Sequence, residues 1–343
     1  WRAPMFPLFL AAVYKLFGHS FLAAKVCLAI ISSITAVLLF FISKCFMSER
    51  NSVIVALFYA VYPAAIFWTG YLAPVSLEIF FAVLMVYVCL MAVKKGTFFL
   101  FFVAGFILGF GVLTRSVFFI FLPVIFIWLL IIQNIKFAFK STVYVFLSCV
   151  VTISPWVLRN YHIHKTFLLT STEGGIVCYI ANNEKSLFQA SGYWDPTGQY
   201  NEPIIKKIKG LSEIETDRYF YRAAFEFIKT HPLLYLRLVK DRFIRFWKIA
   251  PHTFSGPGEN YTLYHVIIAL MTNLPIFLLA GLGFVRSLKV WKDFLLIYLM
   301  IIFWSLPIIL FFKTVIRYRE PIMPFMITMA VLGLEYFIPK RNK

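Results

Sequence analysis

Long blocks of apolar residues recur from one end of the chain to the other. Nine of these blocks have the length of membrane-spanning helices, and none shows the strict alternation of apolar and polar residues that marks a strand of a membrane barrel. The pattern therefore predicts an all-α polytopic membrane protein. The predicted spans are about 20–43, 51–68, 73–93, 97–113, 117–133, 141–157, 262–285, 293–312 and 321–338.

Two stretches depart from this pattern. Residues 4–17 are apolar but too short to cross a bilayer with ease, which favours a helix lying at the interface. Residues 158–261 are polar and hold most of the acidic residues, and their second half places aromatic and aliphatic residues at helical spacing. We predict a membrane domain over 1–157 (the interfacial helix and six spans), a mixed extracytoplasmic segment with amphipathic helices lying on the membrane over 158–261, and a membrane domain with three spans over 262–343.

Composition excludes an ordinary soluble domain. The 343 residues are 61% hydrophobic, with a mean hydropathy of +0.83, whereas a soluble domain is about half apolar. The net charge of +18 would suit a nucleic-acid partner, but the chain has no nucleic-acid motif, and in a membrane protein such cations mostly anchor topology and contact lipid headgroups. The five cysteines have no spacing typical of a disulfide framework or a metal site.

The distribution of cations between loops predicts which side of the membrane each loop occupies. Alternate loops and the C-terminal tail are basic, so we place them in the cytoplasm and the polar segment 158–261 outside, in a plasma (inner) membrane. The cytoplasmic cations are Lys44, Arg50, Lys94, Lys95, Lys136, Lys140, Arg286, Lys289, Lys292, Lys340, Arg341 and Lys343.

Four cations break this rule, because they lie in turns predicted to be outside. They are Arg115 and the group Lys313, Arg317 and Arg319. One interpretation is that these side chains extend to the phosphates of the outer leaflet. The other is an anion site at the outer face, since arginine binds phosphate oxygens through two parallel hydrogen bonds.

Four motifs, taken in order, resemble a known family. They are "WRAPMFPLFLAAVYKLFGHSFLAAKV", "GFILGFGVLTRSVFFIFLP", "SPWVLRNYHIHKTFLLTSTEGGIVCYIANN" and "VIRYREPIMPFM". The set resembles the bacterial and archaeal membrane glycosyltransferases of the protein-mannosyltransferase and aminoarabinose-transferase type, glycosyltransferase family 39, which have the GT-C fold. The resemblance implies transfer of a sugar from a polyprenyl-phosphate donor to a lipid, glycan or protein acceptor on the extracytoplasmic face.

The resemblance also implies roles for individual residues. Arg317, Tyr318 and Arg319 match the family's RYR-P motif and are the leading candidates for binding the donor phosphate. Arg115 matches the basic residue that follows the family's glycine-rich span, and Arg2 matches the basic residue before its prolines. Both are further candidates for that phosphate, although Arg2 could equally be an interfacial anchor.

The remaining motif residues have structural alternatives. Arg159 and Asn160 match the family's PW…RN motif and are candidates for lining a cavity, but Arg159 could also cap a helix end. Gly105, Gly109 and Gly111 are most simply explained by close helix packing.

The family's catalytic acid belongs to its first outer loop, and we expect it upstream of Trp1. The family often carries a further acidic residue at the outer start of the span that follows "YP", and Glu78 is a candidate for a shifted counterpart of it and a weak catalytic candidate. Glu78 lies two or three residues late, however, and could instead pair with a nearby arginine. No metal-ligand set is apparent, because His162 and His164, an HxH pair in a predicted turn, do not by themselves make one. We expect no certain cofactor and leave a divalent metal open.

Two other functions remain open from the sequence. A transporter or flippase of lipid-linked sugars predicts repeated halves with broken helices, and we detect no internal repeat. A non-catalytic relative that binds glycans or lipids is the second alternative.

Overall fold

The computed structural model describes residues 2–187, 202–250, 262–335 and 337, and these residues form helices, with no strand among them. The helices are α1 (Met5–Phe17), α2 (Phe21–Ser43), α3 (Glu49–Ala60), α4 (Pro63–Thr69), α5 (Val75–Lys95), α6 (Phe98–Thr114), α7 (Phe121–Ile132), α8 (Ile135–His164), α9 (Gly174–Ala181), α10 (Glu202–Ile208), α11 (Glu213–Thr230), α12 (Pro232–Phe246), α13 (Leu263–Ser287), α14 (Trp291–Phe311) and α15 (Met323–Leu334). Short 3₁₀ turns cover Ser116–Ile120, Glu184–Leu187, Leu288–Val290 and Ile316–Ile322.

The chain divides into two compact units. The large unit contains residues 3–155, 267–304 and 320–343, and the small unit contains residues 1–2, 156–266 and 305–319. The large unit therefore holds most of the apolar helices, whereas the small unit holds most of the polar segment together with residues 305–319, which follow it by about forty positions in the sequence.

The predicted all-α membrane architecture is confirmed. Four helical runs are long and apolar enough to cross a membrane, namely Phe21–Ser43, Val75–Lys95, Ile135–His164 and the 49-residue run Leu263–Phe311. A fifth span results if α3 and α4, bent by 48° at their junction, are counted as one.

The lengths of the helices alone do not support all nine predicted spans. The helices over the predicted spans 97–113 and 117–133 are shorter apolar helices, Phe98–Thr114 and Ser116–Ile132. The predicted spans 262–285 and 293–312 lie within one helical run. At a rise of 1.5 Å per residue, helices of fewer than about 18 residues are shorter than the hydrocarbon core.

Close packing between α6 and α8 depends on glycine, as the sequence predicts. A β-carbon at Gly105 would lie 1.8 Å from Ser148 Oγ, and a β-carbon at Gly109 would lie 2.4 Å from Thr152 Cβ. Any larger side chain would push the two helices apart, because the facing atoms belong to the neighbouring backbone and its short side chains. The packing interpretation of these two glycines is confirmed.

The two amphipathic helices predicted in the polar segment are α11 and α12. Ser212 and Glu215 form a capping box that begins α11. The helix ends at Thr230, and Pro232 begins α12 after the single residue His231. Each helix turns one face into the small unit. The buried residues are Phe220, Ala224 and Phe227 of α11 and Leu238, Arg242 and Phe246 of α12.

The structure corrects one local prediction. His162 and His164 lie in the last helical turn of α8 and not in a loop, because α8 continues to His164 beyond the predicted span end at 157. Residues 316–322, which carry the RYR-P motif, form a 3₁₀ turn that includes Pro321.

Candidate functional site

Arg319 is fully buried and contacts the end of α12. Its Nη1 atom donates hydrogen bonds to the backbone carbonyls of Phe246, at 3.1 Å, and Lys248, at 2.6 Å. The last carbonyls of a helix have no partner within the helix and carry partial negative charge, so a cation is favourable there. Arg319 therefore fastens the 3₁₀ turn Ile316–Ile322 to the C-terminal end of α12.

Arg317 has a different environment. It is half-buried, and its guanidinium lies 5.4 Å from the ring centroid of Tyr318, which is half-buried as well. Because a 3₁₀ helix has three residues per turn, Arg317 and Arg319 leave the backbone in directions roughly 120° apart. The two arginines of the motif are thus separated into one partly accessible and one buried side chain.

Arg242 of α12 is a buried arginine that the sequence analysis did not single out. It donates hydrogen bonds to the carbonyl of Ala181 at 2.8 Å, to Oδ1 of Asn182 at 2.9 Å and to the carbonyl of Leu310 at 2.9 Å. Burial lowers the pKa of Arg242 to about 10. Helical spacing could have indicated it, since Arg242 lies between the buried Leu238 and Phe246, at four-residue intervals.

The segment 312–318, which contains Lys313 and Arg317, is held at both ends within the small unit. At its start, Tyr235 Oη donates to the carbonyl of Leu310 at 3.2 Å, in addition to the bond from Arg242, and Asn182 Nδ2 donates to the carbonyl of Phe311 at 2.9 Å. At its end, Arg319 is fixed to α12. The position of α12 therefore sets the position of this segment.

Glu78 and Arg115 form an ion pair in the large unit. Arg115 Nη1 lies 3.2 Å from Glu78 Oε2, with the glutamate side chain fully buried and the arginine side chain 24% exposed. Glu78 lies in the first turn of α5 and Arg115 ends α6, so each charge is at the helix end whose dipole favours it. The structural alternative for Glu78, pairing with an arginine, is the one observed. The convergence of Arg115 with Arg317 and Arg319 stays a prediction.

The PW…RN motif connects the end of α8 to the segment that follows it. Trp156 Nε1 donates to the carbonyl of Thr170 at 2.8 Å, and Asn160 Nδ2 donates to the carbonyl of Leu168 at 3.1 Å. Arg159 is exposed, lies 4.6 Å from the Trp156 ring centroid and donates to Oδ1 of Asn160. These contacts give Trp156 and Asn160 structural roles and leave the guanidinium of Arg159 accessible.

The start of α9 packs closely against α11. The backbone N–H of Gly175 donates to Asp217 Oδ1 at 2.6 Å, and a β-carbon at Gly175 would lie 2.1 Å from the Asp217 carbonyl oxygen. Thr172 donates to the carboxylate of Glu213 one turn earlier. Burial raises the pKa of Asp217, and the hydrogen bond from Gly175 opposes this effect.

Two candidates from the sequence remain, namely Arg2 and a divalent metal. Arg2 is exposed. Among the residues that the structure describes, no group of three or more His, Cys, Asp or Glu side chains is arranged to hold a metal ion. The divalent metal left open by the sequence gains no protein ligand set from this part of the chain.

Comparison with protein families identifies a match over the first part of the chain. Residues 2–158 match the family described as dolichyl-phosphate-mannose-protein mannosyltransferase. These residues contain the motifs around Arg2 and Arg115 and most of the first membrane domain. No curated protein sequence matches the chain.

Solved structures from Archaeoglobus fulgidus share the fold. An oligosaccharyltransferase tethered to an acceptor peptide containing the NVT sequon aligns with a TM-score of 0.56 and 15% identity, over 98% of this chain and 41% of that one. The oligosaccharyltransferase AglB in complex with an inhibitory peptide and a dolichol-phosphate aligns with a TM-score of 0.56 and 16% identity, over 100% of this chain and 44% of that one. The apo form aligns with a TM-score of 0.55 and 14% identity, over 98% and 42%.

The chain spans about two fifths of the length of these solved relatives, and at this identity the likeness concerns the fold. The family match confirms the predicted resemblance over residues 2–158, and the solved structures confirm the predicted fold. The chain thus has a fold of the GT-C membrane glycosyltransferase type, and its residues 2–158 match the dolichyl-phosphate-mannose-protein mannosyltransferase family.

Proposed function

We propose that this chain is part of a membrane glycosyltransferase that takes a sugar from a polyprenyl-phosphate donor. The observation that carries the proposal is the match of residues 2–158 to a family whose description names a dolichyl-phosphate-linked sugar. The fold supports it, since one solved relative with this fold was obtained in complex with a dolichol-phosphate.

The arginines suit the chemistry of such a donor. As the bond from sugar to phosphate breaks, negative charge builds on the leaving phosphate, and fixed cations stabilise that charge. We assign direct phosphate contact to Arg317, because it is partly accessible and its guanidinium can bind two oxygens at once. Lys313, Tyr318, Arg115 and Arg2 are the further candidates for the same phosphate.

Arg319 receives a positioning role in this proposal. Its Nη1 is fixed on two backbone carbonyls, and its side chain is closed to solvent. We infer that Arg319 holds the turn from which Arg317 projects. Glu78 receives an equivalent role toward Arg115, because its carboxylate is buried against that guanidinium.

For the acceptor, we propose a lipid, glycan or protein on the extracytoplasmic side of the plasma membrane. One solved relative is tethered to an acceptor peptide, which favours a peptide as the first acceptor to try. The accessible Arg159 and the neighbouring Asn160 at the start of the small unit are candidates for lining the acceptor side.

Binding of polyprenyl phosphate tests the donor site without the sugar being known. In the full-length protein, the substitution Arg317→Lys keeps the positive charge but loses the two parallel hydrogen bonds of the guanidinium. We expect binding about tenfold weaker or more, from the roughly 1.5–3 kcal/mol of a hydrogen bond to a charged group. Arg222→Lys, on the exposed side of α11, is the matched control and should bind as the wild type does. Equal affinity of both variants would contradict the assignment of Arg317.

The bend of 48° between α3 and α4 favours a second candidate, a flippase of lipid-linked sugars, because broken spans are common in transporters. The two functions differ in their products. A glycosyltransferase releases free polyprenyl phosphate from the donor when membranes supply acceptors, whereas a flippase moves the intact donor between leaflets. Lipid translocation without release of polyprenyl phosphate would favour the flippase.

A further inference from the structure

The helix α12 exposes an apolar face outside the predicted spans. Leu233, Leu236, Phe243 and Ile244 are 80%, 60%, 54% and 55% exposed. With about 100° between successive helix residues, these four side chains fall within an arc of roughly 100° around α12. We call these four residues, together with the basic residues Arg237 and Lys240, the exposed α12 face.

The charges on the exposed α12 face are of one sign. Lys240 is exposed within the same arc, and Arg237 is exposed about 20° beyond its edge. The exposed residues of α12 include no acidic residue, and the half-buried Asp241 lies about 60° outside the arc. The neighbouring helix α11 is different, because its exposed side carries both signs and only one large apolar residue, which is typical of a face in water. The exposed residues of α11 are Glu215, Arg218, Arg222, Phe225, Glu226, Lys229 and Thr230.

The exposed α12 face cannot belong to the core of the small unit, because the opposite side of the same helix already does. Leu238, Arg242 and Phe246 are buried, and Arg242 is fixed by three hydrogen bonds. Rotating the helix to bury the apolar arc would break those bonds. The orientation of α12 is therefore set by the fold, and its apolar residues are held outward.

We propose that the exposed α12 face lies in the interfacial layer of the bilayer and contacts anionic lipid headgroups. The apolar side chains enter the boundary between headgroups and acyl chains, and Arg237 and Lys240 bind lipid phosphates. Apolar residues interleaved with cations, without acids, match an anionic lipid surface in both hydrophobicity and charge.

This docking has a consequence for the donor segment, which rests on the proposed function. Because α12 holds segment 312–318 at both ends, the depth of α12 in the interface also fixes the height of Arg317. A donor phosphate attached to a polyprenyl chain lies at that same depth, at the membrane surface.

Depth-dependent quenching tests the docking independently of any activity. The full-length protein is prepared with Cys27→Ser and Cys45→Ser, so that the cysteines that remain are buried. An environment-sensitive fluorophore is attached to Leu236→Cys on the exposed α12 face or, as a control, to Lys229→Cys on the exposed side of α11. Both proteins are placed in nanodiscs that contain phosphatidylglycerol and a lipid spin-labelled near its headgroup.

We expect the spin-labelled lipid to quench the label at Leu236 strongly, and aqueous iodide to quench the label at Lys229. The double variant Arg237→Gln/Lys240→Gln should lose most of the lipid quenching at position 236, down to its level in nanodiscs of phosphatidylcholine alone. Quenching at Leu236 by iodide and not by the lipid places the face in water and overturns the proposal. Protection from both quenchers indicates a protein partner and also overturns it, and unchanged quenching in the double variant overturns the headgroup contact. A loss of polyprenyl-phosphate binding in Arg317→Lys, by contrast, concerns the donor site alone.

Discussion

Replacing Arg242 by methionine should loosen the small unit, because this one side chain connects α12 to the end of α9 and to the end of α14. Methionine has a similar length and fills a similar space, so the substitution chiefly removes the guanidinium. The carbonyl of Ala181 and the side-chain oxygen of Asn182 then lose their bonds from the guanidinium, and the carbonyl of Leu310 loses one bond but keeps the one from Tyr235 Oη.

The expected size of the effect follows from two opposing contributions. Each hydrogen bond to a charged group contributes roughly 1.5–3 kcal/mol. Burial opposes this, since the fall in the pKa of Arg242 to about 10 corresponds to a cost of about 3 kcal/mol for the charged form. The three bonds exceed that cost, and we expect Arg242→Met to reduce the free energy of opening of the small unit by ~3 kcal/mol.

Hydrogen–deuterium exchange measures this free energy helix by helix. A loss of ~3 kcal/mol should accelerate exchange of the backbone amides in α9 and α12 by about a hundredfold, because exchange follows the population of the open state. Arg237→Met is the matched control, as it makes the same chemical change at an exposed position of the same helix. Surface substitutions of this kind change stability by about 0.5 kcal/mol or less.

Two results would refute the reasoning. If Arg242→Met and Arg237→Met exchange at the same rate, the three hydrogen bonds contribute nothing beyond those of an exposed arginine. If Arg242→Met exchanges more slowly than the wild type, the cost of burying the charge exceeds the gain from its hydrogen bonds.

Three further predictions concern packing, topology and pH. Gly105→Ala should lower the free energy of unfolding in detergent by about 1–3 kcal/mol, because its β-carbon meets the facing helix at 1.8 Å. The control Gly281→Ala has open space around its β-carbon and should leave this free energy unchanged, so equal stability of the two variants contradicts the packing. Lys229→Cys should react with an impermeant maleimide added outside cells, and the native Cys45 only after the membrane is opened; the reverse pattern refutes the predicted topology. Since burial raises the pKa of Asp217 above 3.8, the wild type should lose stability as pH rises through that raised pKa. Asp217→Asn keeps a hydrogen-bond acceptor but cannot ionise, so it should remove this loss, and an unchanged pH profile of stability in the variant contradicts the assignment.

The local pattern of the sequence was enough for the elements and for some of their contacts. Continuous apolar blocks predicted α2 and α5 within about two residues, because a bilayer leaves a chain few structures other than the helix. Glycines four residues apart, Gly105 and Gly109, predicted close helix contact, since only a missing side chain allows it. The motifs also indicated the family, because they retain the residue types and the order that a family comparison detects.

The tertiary structure alone decided what the arginines hold. The sequence left pairing with an arginine open for Glu78, but Glu78 and Arg115 are 37 residues apart, and only the structure shows that this arginine is the partner. Arg242 and Arg319 bind backbone carbonyls, and every residue supplies a carbonyl. The types of residue along a chain therefore carry no sign of such a partner. Only the packing of the helices brings those particular carbonyls within reach of a guanidinium.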